Sequence, residues 1–449
     1  MTAEKHTSFF FLGIGGIGMS ALARYVMAKG HKVFGYDKAP SVLTDRLISE
    51  GASITYSTHL DPAILTLIDA RNTLVVWTPA ISEENPWKRY FDQGSFACIK
   101  RATFLARVTQ DTQCLAVAGT HGKTTTSSIL AHILLEAKCS VTAFLGGIAQ
   151  NYQSNFVSQG TNMTVVEADE FDRSFLQLHP DLACITSMDP DHLDIYPTPE
   201  SFSQAFNAFA DLVPKGQLFV QEDLPLAGVK VGFSDQAAVR AINIGVDQGA
   251  YRFDVVTPQG AAQALSFGMP GRHNLSNALM AVGMAASVGV SLAQIAAGLA
   301  TFTGIQRRFN VSKHGHDHIL IDDYAHHPTE LDALYQGVNE FYPKASNVIV
   351  FQPHLYSRTR DFGPEFAKSL AQFDRVLLLP LYPARERPIR GVDSEWLCRQ
   401  IPGQKAQVVL PQQLPEMIQK AQAKVTLMVG AGDIGTMVPK IKTYLDHEA

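Results

Sequence analysis

Cysteine is scarce in this sequence, and its spacing excludes two common uses of that residue. The five cysteines are an odd number, lie far apart and include no Cys-x-x-Cys pair; they are Cys98, Cys114, Cys139, Cys184 and Cys398. A disulfide framework or a zinc knuckle needs paired and suitably spaced thiols. We expect neither, and we interpret the cysteines as small core side chains of a protein in a reducing cytoplasm.

Charge and long apolar runs are also limited. Charged residues make up 18% of the chain, and a formal net charge of −5 gives no general attraction for nucleic acid or an anionic membrane, so we expect neither partner. Residues 277–303 are uncharged, but Gly289 and Ser291 predict a break between two short helices and not a membrane span. The apolar residues 9–19 resemble a signal peptide, but their four glycines argue against one.

The most informative stretch is a buried strand, a glycine-containing loop and a helix. The loop consists of Gly119, Thr120, His121, Gly122, Lys123, Thr124 and Thr125. Gly119 and Gly122 permit a tight turn, Lys123 supplies an ammonium group, and the helix N-terminus attracts phosphate. The Thr124 hydroxyl suits a metal ion bound with the phosphates. This setting predicts a phosphate loop, although Val117 stands where the general consensus has glycine.

A second glycine-rich loop lies near the start of the chain, between a predicted strand over 8–12 and a predicted helix over 19–29. It contains Gly13, Gly15, Gly16, Ile17 and Gly18. Asp37 follows about twenty residues later, as in the fingerprint of dinucleotide-binding folds. Two interpretations stay open for these residues: a dinucleotide such as NAD, or the diphosphate of another nucleotide.

Acidic residues follow two further predicted strands, 163–166 and 182–187. Glu167 comes directly after the first strand, and His192 lies in an acidic segment after the second. Ligands bind at the carboxyl ends of parallel strands, and acidic oxygens there can hold Mg²⁺. A solvated acidic loop is the alternative for the segment at Glu167. For His192 the alternative is an ordinary loop or core histidine, because Mg²⁺ prefers oxygen ligands.

The last third of the chain again alternates predicted strands and helices. Polar clusters follow three of its strands, at residues 322–330, 352–361 and 430–435. We therefore predict an α/β protein of three domains: a Rossmann-like domain at 1–107, a central phosphate-loop domain with a parallel sheet at 108–306, and a second Rossmann-like domain at 307–449.

Six motifs in this order resemble those of the Mur ligases, and the resemblance covers essentially the whole chain. They occupy residues 119–125, 167–170, 191–194, 271–274, 323–330 and 358–361. The resemblance implies a first domain that binds the UDP-sugar, a central domain that binds ATP and Mg²⁺, and a third domain that carries the amino acid. The first glycine loop would then cradle a diphosphate without hydride chemistry.

The resemblance also implies roles for individual residues. It implies UDP-sugar binding by Gly13, Gly15, Gly16, Ile17, Gly18, Asp37, Thr78 and Pro79. It implies ATP binding by Gly119, Thr120, His121, Gly122, Lys123, Thr124, Thr125, Asn274, Arg308 and Asp323. Catalytic roles would belong to Lys123, Glu167 and His192, and Mg²⁺ ligation to Thr124, Glu167 and His192. The amino acid would be bound by Tyr324, His326 and Arg358.

Within the family, the motifs are most similar to those of ligases that act on UDP-N-acetylmuramate, and they imply addition of L-alanine through an acyl phosphate. Ligases for later amino acids carry a carbamoylated lysine, but here the matching region has Asn207, and the first lysine after His192 is Lys215. Leu355 departs from the arginine of many alanine-adding members.

Two other functions are weighed against this one. A recycling relative joins the whole L-alanyl-γ-D-glutamyl-diaminopimelate tripeptide to the same sugar nucleotide. An NAD-dependent dehydrogenase would explain only the first domain and leave Lys123 without a role. A monomer and a homodimer are both compatible with the sequence.

Overall fold

The computed structural model describes residues 6–189, 195–196, 198–314, 317–384 and 386–447. By its internal contacts, the chain divides into two compact units. The first consists of Met1–Asn243, Phe253–Leu265 and Ser276–Phe302, and the second of Ile244–Arg252, Ser266–Leu275 and Thr303–Ala449. Three sheets with mostly parallel strands run through the chain, which confirms the predicted α/β class.

The first sheet is a parallel sheet of five strands in the order β3-β2-β1-β4-β5. Its strands are β1 (Ser8–Leu12), β2 (Lys32–Tyr36), β3 (Ser53–Thr55), β4 (Thr73–Trp77) and β5 (Ala97–Lys100). Its helices are α1 (Ile17–Ala28), α2 (Val42–Ser49), α3 (Pro62–Leu65), α4 (Pro86–Gln93) and α5 (Arg101–Thr109). The order reverses between β1 and β4, which is where ligands bind in open α/β sheets.

The second sheet has ten strands, in the order β15-β14-β13-β12-β11-β10-β6-β9-β7-β8. Its first five strands along the chain are β6 (Gln113–Ala118), β7 (Val141–Ala149), β8 (Ser154–Ser158), β9 (Met163–Ala168) and β10 (Leu182–Ile185). The others are β11 (Leu218–Gln221), β12 (Val229–Gly232), β13 (Val239–Asp247), β14 (Ala250–Thr257) and β15 (Gly260–Phe267). In the order of the sheet, all neighbouring strands from β13 to β7 are parallel, as predicted. Strand β8, at the edge, pairs antiparallel with β7.

Four helices belong to this part of the chain: α6 (Lys123–Glu136), α7 (Pro199–Asp211), α8 (Arg272–Ser287) and α9 (Leu292–Thr301). The break between α8 and α9 confirms the predicted helical pair. Helix α6 is buried along most of its length, and a Cβ on Gly298 of α9 would lie only 3.0 Å from the Cα of Ile133 in α6. Among the described residues, no helix combines the length and apolar character of a membrane span.

The third sheet has six strands, in the order β16-β17-β21-β18-β19-β20, parallel except for β16 with β17. The strands are β16 (Asn310–His314), β17 (His318–Asp323), β18 (Asn347–Phe351), β19 (Arg375–Leu378), β20 (Ala406–Val408) and β21 (Val425–Val429). The helices are α10 (Pro328–Phe341), α11 (Tyr356–Asp361), α12 (Gly363–Leu370), α13 (Ser394–Gln400), α14 (Leu414–Ala421) and α15 (Val438–His447). The edge strand β20 ends at Val408, and Leu410, which is exposed, precedes a short turn.

One buried polar cluster ties helix α1 to strand β8 within the first unit. The Arg24 guanidinium forms a 2.8 Å ion pair with Glu50 and donates to the side-chain oxygen of Asn155. Asn155, which is fully buried, donates in turn to the carbonyl oxygen of Ile17 and, at 2.9 Å, to the Ser20 hydroxyl. Buried polar groups cost little only when they are all satisfied, so Asn155 holds the helix that follows the first glycine loop.

Replacing Asn155 by alanine removes three buried hydrogen bonds at once. We expect Asn155→Ala to lower the free energy of unfolding by about 3 kcal/mol, because Arg24 and the Ile17 carbonyl lose partners in a site closed to water. Urea unfolding measures the change. Asn207→Ala, at an exposed asparagine of α7, is the control and should change stability by about 0.5 kcal/mol or less. Equal losses in the two variants would contradict this role for Asn155.

Candidate active site

The loop between β6 and α6 needs glycine at both ends of its turn. Gly119 and Gly122 have φ values of +133° and +87°, which L side chains rarely adopt. There is also no room for a side chain at either position. A Cβ on Gly119 would lie 2.1 Å from the Thr186 hydroxyl, and one on Gly122 would lie 2.4 Å from the side-chain oxygen of Asn277. The loop therefore presents backbone and the N-terminus of α6, with no side chain at either turn position.

Lys123 is folded under this loop. Its ammonium group donates to the Gly119 carbonyl at 2.6 Å and to the Thr120 carbonyl at 3.3 Å, and it forms a 2.7 Å ion pair with Glu170. Burial by itself lowers the pKa of Lys123, but the carboxylates led by Glu170 outweigh it, so the pKa is raised and the ammonium stays charged. Lys123 is thus a fixed positive charge at the phosphate loop.

Glu167 lies at the carboxyl end of β9 and is the centre of an oxygen-rich cluster. It accepts hydrogen bonds from the Gly146 amide at 2.6 Å, the Thr124 hydroxyl at 3.3 Å and the Ser127 hydroxyl at 3.2 Å. Burial raises the pKa of Glu167. The described residues contain no group of three or more acidic, histidine or cysteine side chains arranged around one metal position. Glu167 and Thr124 nevertheless offer the hard oxygen ligands that Mg²⁺ prefers.

The side chain of Asp37 holds the first glycine loop in place. The Gly15 amide donates to the Asp37 carboxylate at 2.7 Å, which fixes the turn that leads into α1. A Cβ on Gly13 would lie 3.1 Å from the Thr78 side chain, so the carboxyl end of β4 meets the loop there. Gly13, Asp37 and Thr78 are thereby brought together, as expected for residues at the switch point of this sheet.

Arg101 connects the first glycine loop to the end of strand β9. It opens helix α5, and its guanidinium lies against Gly18 and 3.4 Å from the Asp169 carboxylate. A cavity of about 140 Å³ opens between these groups, and its wall contains Gly18 of the first glycine loop, Arg101, Gly146 of β7, and Glu167 and Asp169 at the end of β9. The carboxyl ends of two sheets therefore face one space.

Four residues of this arrangement were not among the predicted site residues: Arg101, Asp169, Glu170 and Asn277. Asp169 and Glu170 stand in the predicted acidic segment, and Asn277 follows Asn274 by three residues, so a local signal existed for these three. Arg101 pairs with a residue 68 positions away, and no local pattern indicates such a partner.

In the second unit, polar groups gather at the carboxyl end of β17. Asp323 accepts hydrogen bonds from the Phe309 and Ala325 amides, both at 2.7 Å. Burial raises the pKa of Asp323 to about 6, although the positive charge of Arg308 opposes the rise. The Arg308 guanidinium lies 5.5 Å from the ring centre of Tyr324, within cation–π distance.

Aromatic and histidine rings continue from this point in the same unit. The ring centres of Tyr324 and His326 are 5.5 Å apart, those of His326 and His354 are 6.2 Å apart, and His354 stacks on Tyr382 at 5.7 Å. Arg358, on α11, lies 3.5 Å from His354. Burial lowers the pKa of His354 to about 4 and also lowers the pKa of His326. Both rings are neutral near pH 7, beside a cationic arginine.

The structure thus divides the predicted site residues between the two units. The residues of both loops and Glu167 belong to the first unit, and Asn274, Arg308, Asp323, Tyr324, His326 and Arg358 belong to the second. Asn274 is buried and donates to the Pro270 carbonyl at 2.6 Å. His192 lies outside the described residues. Leu355 has a φ of +72° and directly precedes α11.

The low pKa of His354 predicts a pH dependence of stability. An unfolded histidine gains a proton below about pH 6.5, whereas native His354 stays neutral down to about pH 4, so stability is lost as the pH falls through this window. Between pH 7 and pH 5, wild type should lose about 2 kcal/mol more than His354→Gln in urea unfolding. His59→Gln, at an exposed histidine, serves as the control. Parallel stability curves for wild type and His354→Gln would refute the assignment.

Family models match most of the chain. The Mur ligase family catalytic domain matches residues 8–113, and the Mur ligase middle domain matches residues 117–285. The Mur ligase glutamate ligase domain matches residues 307–438. The three matches follow one another in the order that the six sequence motifs indicate.

Full-length relatives agree with these matches. A UDP-N-acetylmuramate–L-alanine ligase from Flavobacterium psychrophilum is 50% identical over 449 residues, with 100% of each chain covered. The structure of the UDP-N-acetylmuramate-alanine ligase MurC from Thermotoga maritima has a TM-score of 0.82 at 27% identity, covering 99% of this chain and 100% of that one. A murein peptide ligase from Psychrobacter arcticus shares the fold, with a TM-score of 0.68 at 23% identity over 98% of this chain and 99% of that one. This chain belongs to the Mur ligase family.

Proposed function

We propose that this protein is an ATP-dependent ligase that joins L-alanine to the lactyl carboxylate of UDP-N-acetylmuramate and releases ADP and phosphate. The observation that carries the proposal is the small cavity where Gly18 and Arg101 meet Glu167, next to the loop that holds Lys123. A sugar nucleotide on the first loop and a triphosphate on the second would place their reacting ends in this space. The full-length relative at 50% identity, named for this reaction, supports the same substrates.

The reaction needs an activated carboxylate, because a carboxylate and an amine do not condense at neutral pH when the leaving group is oxide. Transfer of the γ-phosphoryl group from ATP to the carboxylate gives an acyl phosphate. The amine of L-alanine then attacks its carbonyl carbon, and phosphate leaves from the tetrahedral oxyanion. Both steps gather negative charge, so catalysis rests on positioning and on cationic groups. Lys123 supplies one fixed cation, and Arg101 is placed to supply a second.

The residues present fit a Mg²⁺ ion. The Glu167 carboxylate and the Thr124 hydroxyl lie 3.3 Å apart, and burial leaves Glu167 with a raised pKa, as expected of a ligand whose charge is only partly compensated. Mg²⁺ bound there would neutralise phosphate charge during phosphoryl transfer. His192 stays a predicted ligand, and its segment lies outside the described residues.

The phosphate loop favours phosphoryl transfer over hydride chemistry. Asp37 is engaged by the Gly15 amide at 2.7 Å, and the phosphate loop with Lys123 gives the chain a triphosphate site that a dehydrogenase does not need. The murein peptide ligase is only 23% identical and supports the fold without supporting the tripeptide as substrate. Addition of L-alanine is therefore favoured over addition of the tripeptide and over a dehydrogenase reaction.

The second unit would supply the amino-acid site. The Arg358 guanidinium is suited to binding the carboxylate of an amino acid. Tyr324 and His326 belong to the group of rings that continues to His354, beside Arg358. We further propose three domains with boundaries at residues 107 and 306. We also propose that the protein acts in the bacterial cytoplasm, as a monomer or a homodimer.

Substrate dependence tests the proposed function directly. Purified protein with ATP and Mg²⁺ should release phosphate only when UDP-N-acetylmuramate is present, and most strongly with L-alanine. L-Serine, glycine and the L-alanyl-γ-D-glutamyl-diaminopimelate tripeptide are the comparison acceptors. A coupled phosphate assay measures the rates, and mass spectrometry identifies the product. Release with the tripeptide alone would move the assignment to the recycling ligase.

Lys123→Ala tests the charge at the phosphate loop. We expect turnover to fall by about 100- to 1000-fold, as on loss of one preorganised charge-stabilising donor. Lys138→Ala, at an exposed lysine beyond the end of α6, is the matched control and should keep normal turnover. Near-normal turnover of Lys123→Ala would remove Lys123 from the mechanism.

A further inference from the structure

A second and larger cavity lies in the first unit, away from the candidate active site. Its volume is about 780 Å³, which is within the usual range for small-molecule pockets. Leu74 and Ala97 line it at the starts of β4 and β5, and Thr112, Thr142 and Thr164 line it near the starts of β6, β7 and β9. The cavity is therefore at the amino ends of the strands, whereas both glycine loops and Glu167 are at the carboxyl ends.

The wall of this cavity combines an apolar surface with an excess of basic side chains. The apolar part comes from Val26, Leu74, Ile99, Phe104 and Val108. The basic part comes from His6, Lys29, His31 and Arg107, and the acidic residue among the described lining residues is Asp111.

Two of these basic groups are available to a ligand. Lys29 and Arg107 are exposed, and neither forms an ion pair with any residue in the described ranges. The Lys29 ammonium lies 5.8 Å from the ring centre of Tyr25, which also lines the cavity. An arginine and a lysine at the rim of an apolar cavity are suited to the charged end of a molecule whose apolar body lies inside.

We propose that this cavity is a second small-molecule site, which takes an amphipathic anion. The ligand would have an aromatic or aliphatic body against Phe104 and its apolar neighbours, and a carboxylate, sulfonate or phosphate head beside Lys29 and Arg107. None of the residues predicted for the sugar nucleotide, ATP, Mg²⁺ or L-alanine lines the cavity, so the site is separate from the reaction.

Two helices connect the cavity to the candidate active site. Helix α1 begins at the first glycine loop and carries Val26 into the cavity wall. Helix α5 begins at Arg101, beside Gly18, and its later residues Phe104 and Val108 line the cavity. A bound molecule would contact both helices, so its occupancy should change the apparent affinity for the sugar nucleotide.

A pair of fluorescent probes tests the two halves of the proposal. Anilinonaphthalene sulfonate has an aromatic body and an anionic head, and N-phenylnaphthylamine has a similar body without the charge. Each is titrated into the full chain saturated with UDP-N-acetylmuramate and ADP, which keep the probes out of the nucleotide sites. We expect both probes to bind, and the sulfonate to bind more tightly.

Variants of the wall separate charge from shape. Lys29→Glu and Arg107→Glu should each weaken sulfonate binding by about tenfold and leave the neutral probe unchanged, because only the head group meets these side chains. Ala97→Trp, which fills the cavity from edge strand β5, should weaken both probes. Lys215→Glu, an exposed charge reversal outside the wall, is the matched control. Phosphate release by each variant shows that it is folded.

Two results would overturn the proposal. If neither probe binds the substrate-saturated protein, the cavity is not a ligand site. If the sulfonate binds equally well to wild type, Lys29→Glu and Arg107→Glu, the cavity does not recognise an anion. The KM for UDP-N-acetylmuramate, measured with and without the sulfonate, should change in wild type and stay constant in Ala97→Trp.

Discussion

The buried ion pair between Lys123 and Glu170 is the interaction on which the candidate active site depends. Three acidic side chains, Glu167, Asp169 and Glu170, stand together at the end of β9, where burial raises the pKa values of both glutamates. Like charges repel one another strongly in a buried site, so nearby cations are needed to offset the repulsion. Lys123 and Arg101 are the cations that the chain itself provides, at 2.7 Å from Glu170 and 3.4 Å from Asp169.

This arrangement suits a reaction that brings more negative charge into the same space. The Lys123 ammonium group donates to two carbonyl oxygens of the loop. From this position it could exchange its ion pair with Glu170 for one with a phosphate oxygen when phosphates bind. The acids left behind would then be available to a divalent cation. The cluster that lysine and arginine compensate would thus suit the combined charge of a triphosphate and a metal ion.

Parallel-sheet topology explains why the two loops can cooperate. Each glycine loop follows the first strand, in chain order, of a sheet with mostly parallel strands, and both loops lie in one compact unit. Helix α1 is fixed at its start by Asp37 through Gly15 and along its length by Arg24 and Asn155. The first glycine loop is thus anchored to the sheet that carries the phosphate loop, which is what positioning two reacting groups requires.

Much of this could be predicted from sequence, because the strongest signals are local. Strand β1, the glycine loops and helix α6 are each specified by a few consecutive residues, and they were predicted close to their observed bounds. Strand β8 was not predicted, because it is a short edge strand in which polar Asn155 is buried through long-range hydrogen bonds. Strand β14 was not predicted, although its alternating burial at Tyr251, Phe253 and Val255 is a period-two signal.

Contacts between distant residues were beyond local patterns. Arg101 and Asp169 are 68 positions apart, and their pairing depends on how the first two sheets meet within one unit. The pKa values of Glu167 and His354 depend in the same way on tertiary burial, which residue type alone does not indicate.

In the proposed reaction, the carboxylate is activated by phosphorylation before the amine attacks. UDP-N-acetylmuramate labelled with oxygen-18 in its lactyl carboxylate, incubated with ATP, Mg²⁺ and L-alanine, tests this by mass spectrometry of the released phosphate. We expect one carboxylate oxygen per turnover to appear in phosphate, because the acyl phosphate breaks between its carbonyl carbon and the bridging oxygen. Phosphate without label, alongside normal amide formation, would contradict it.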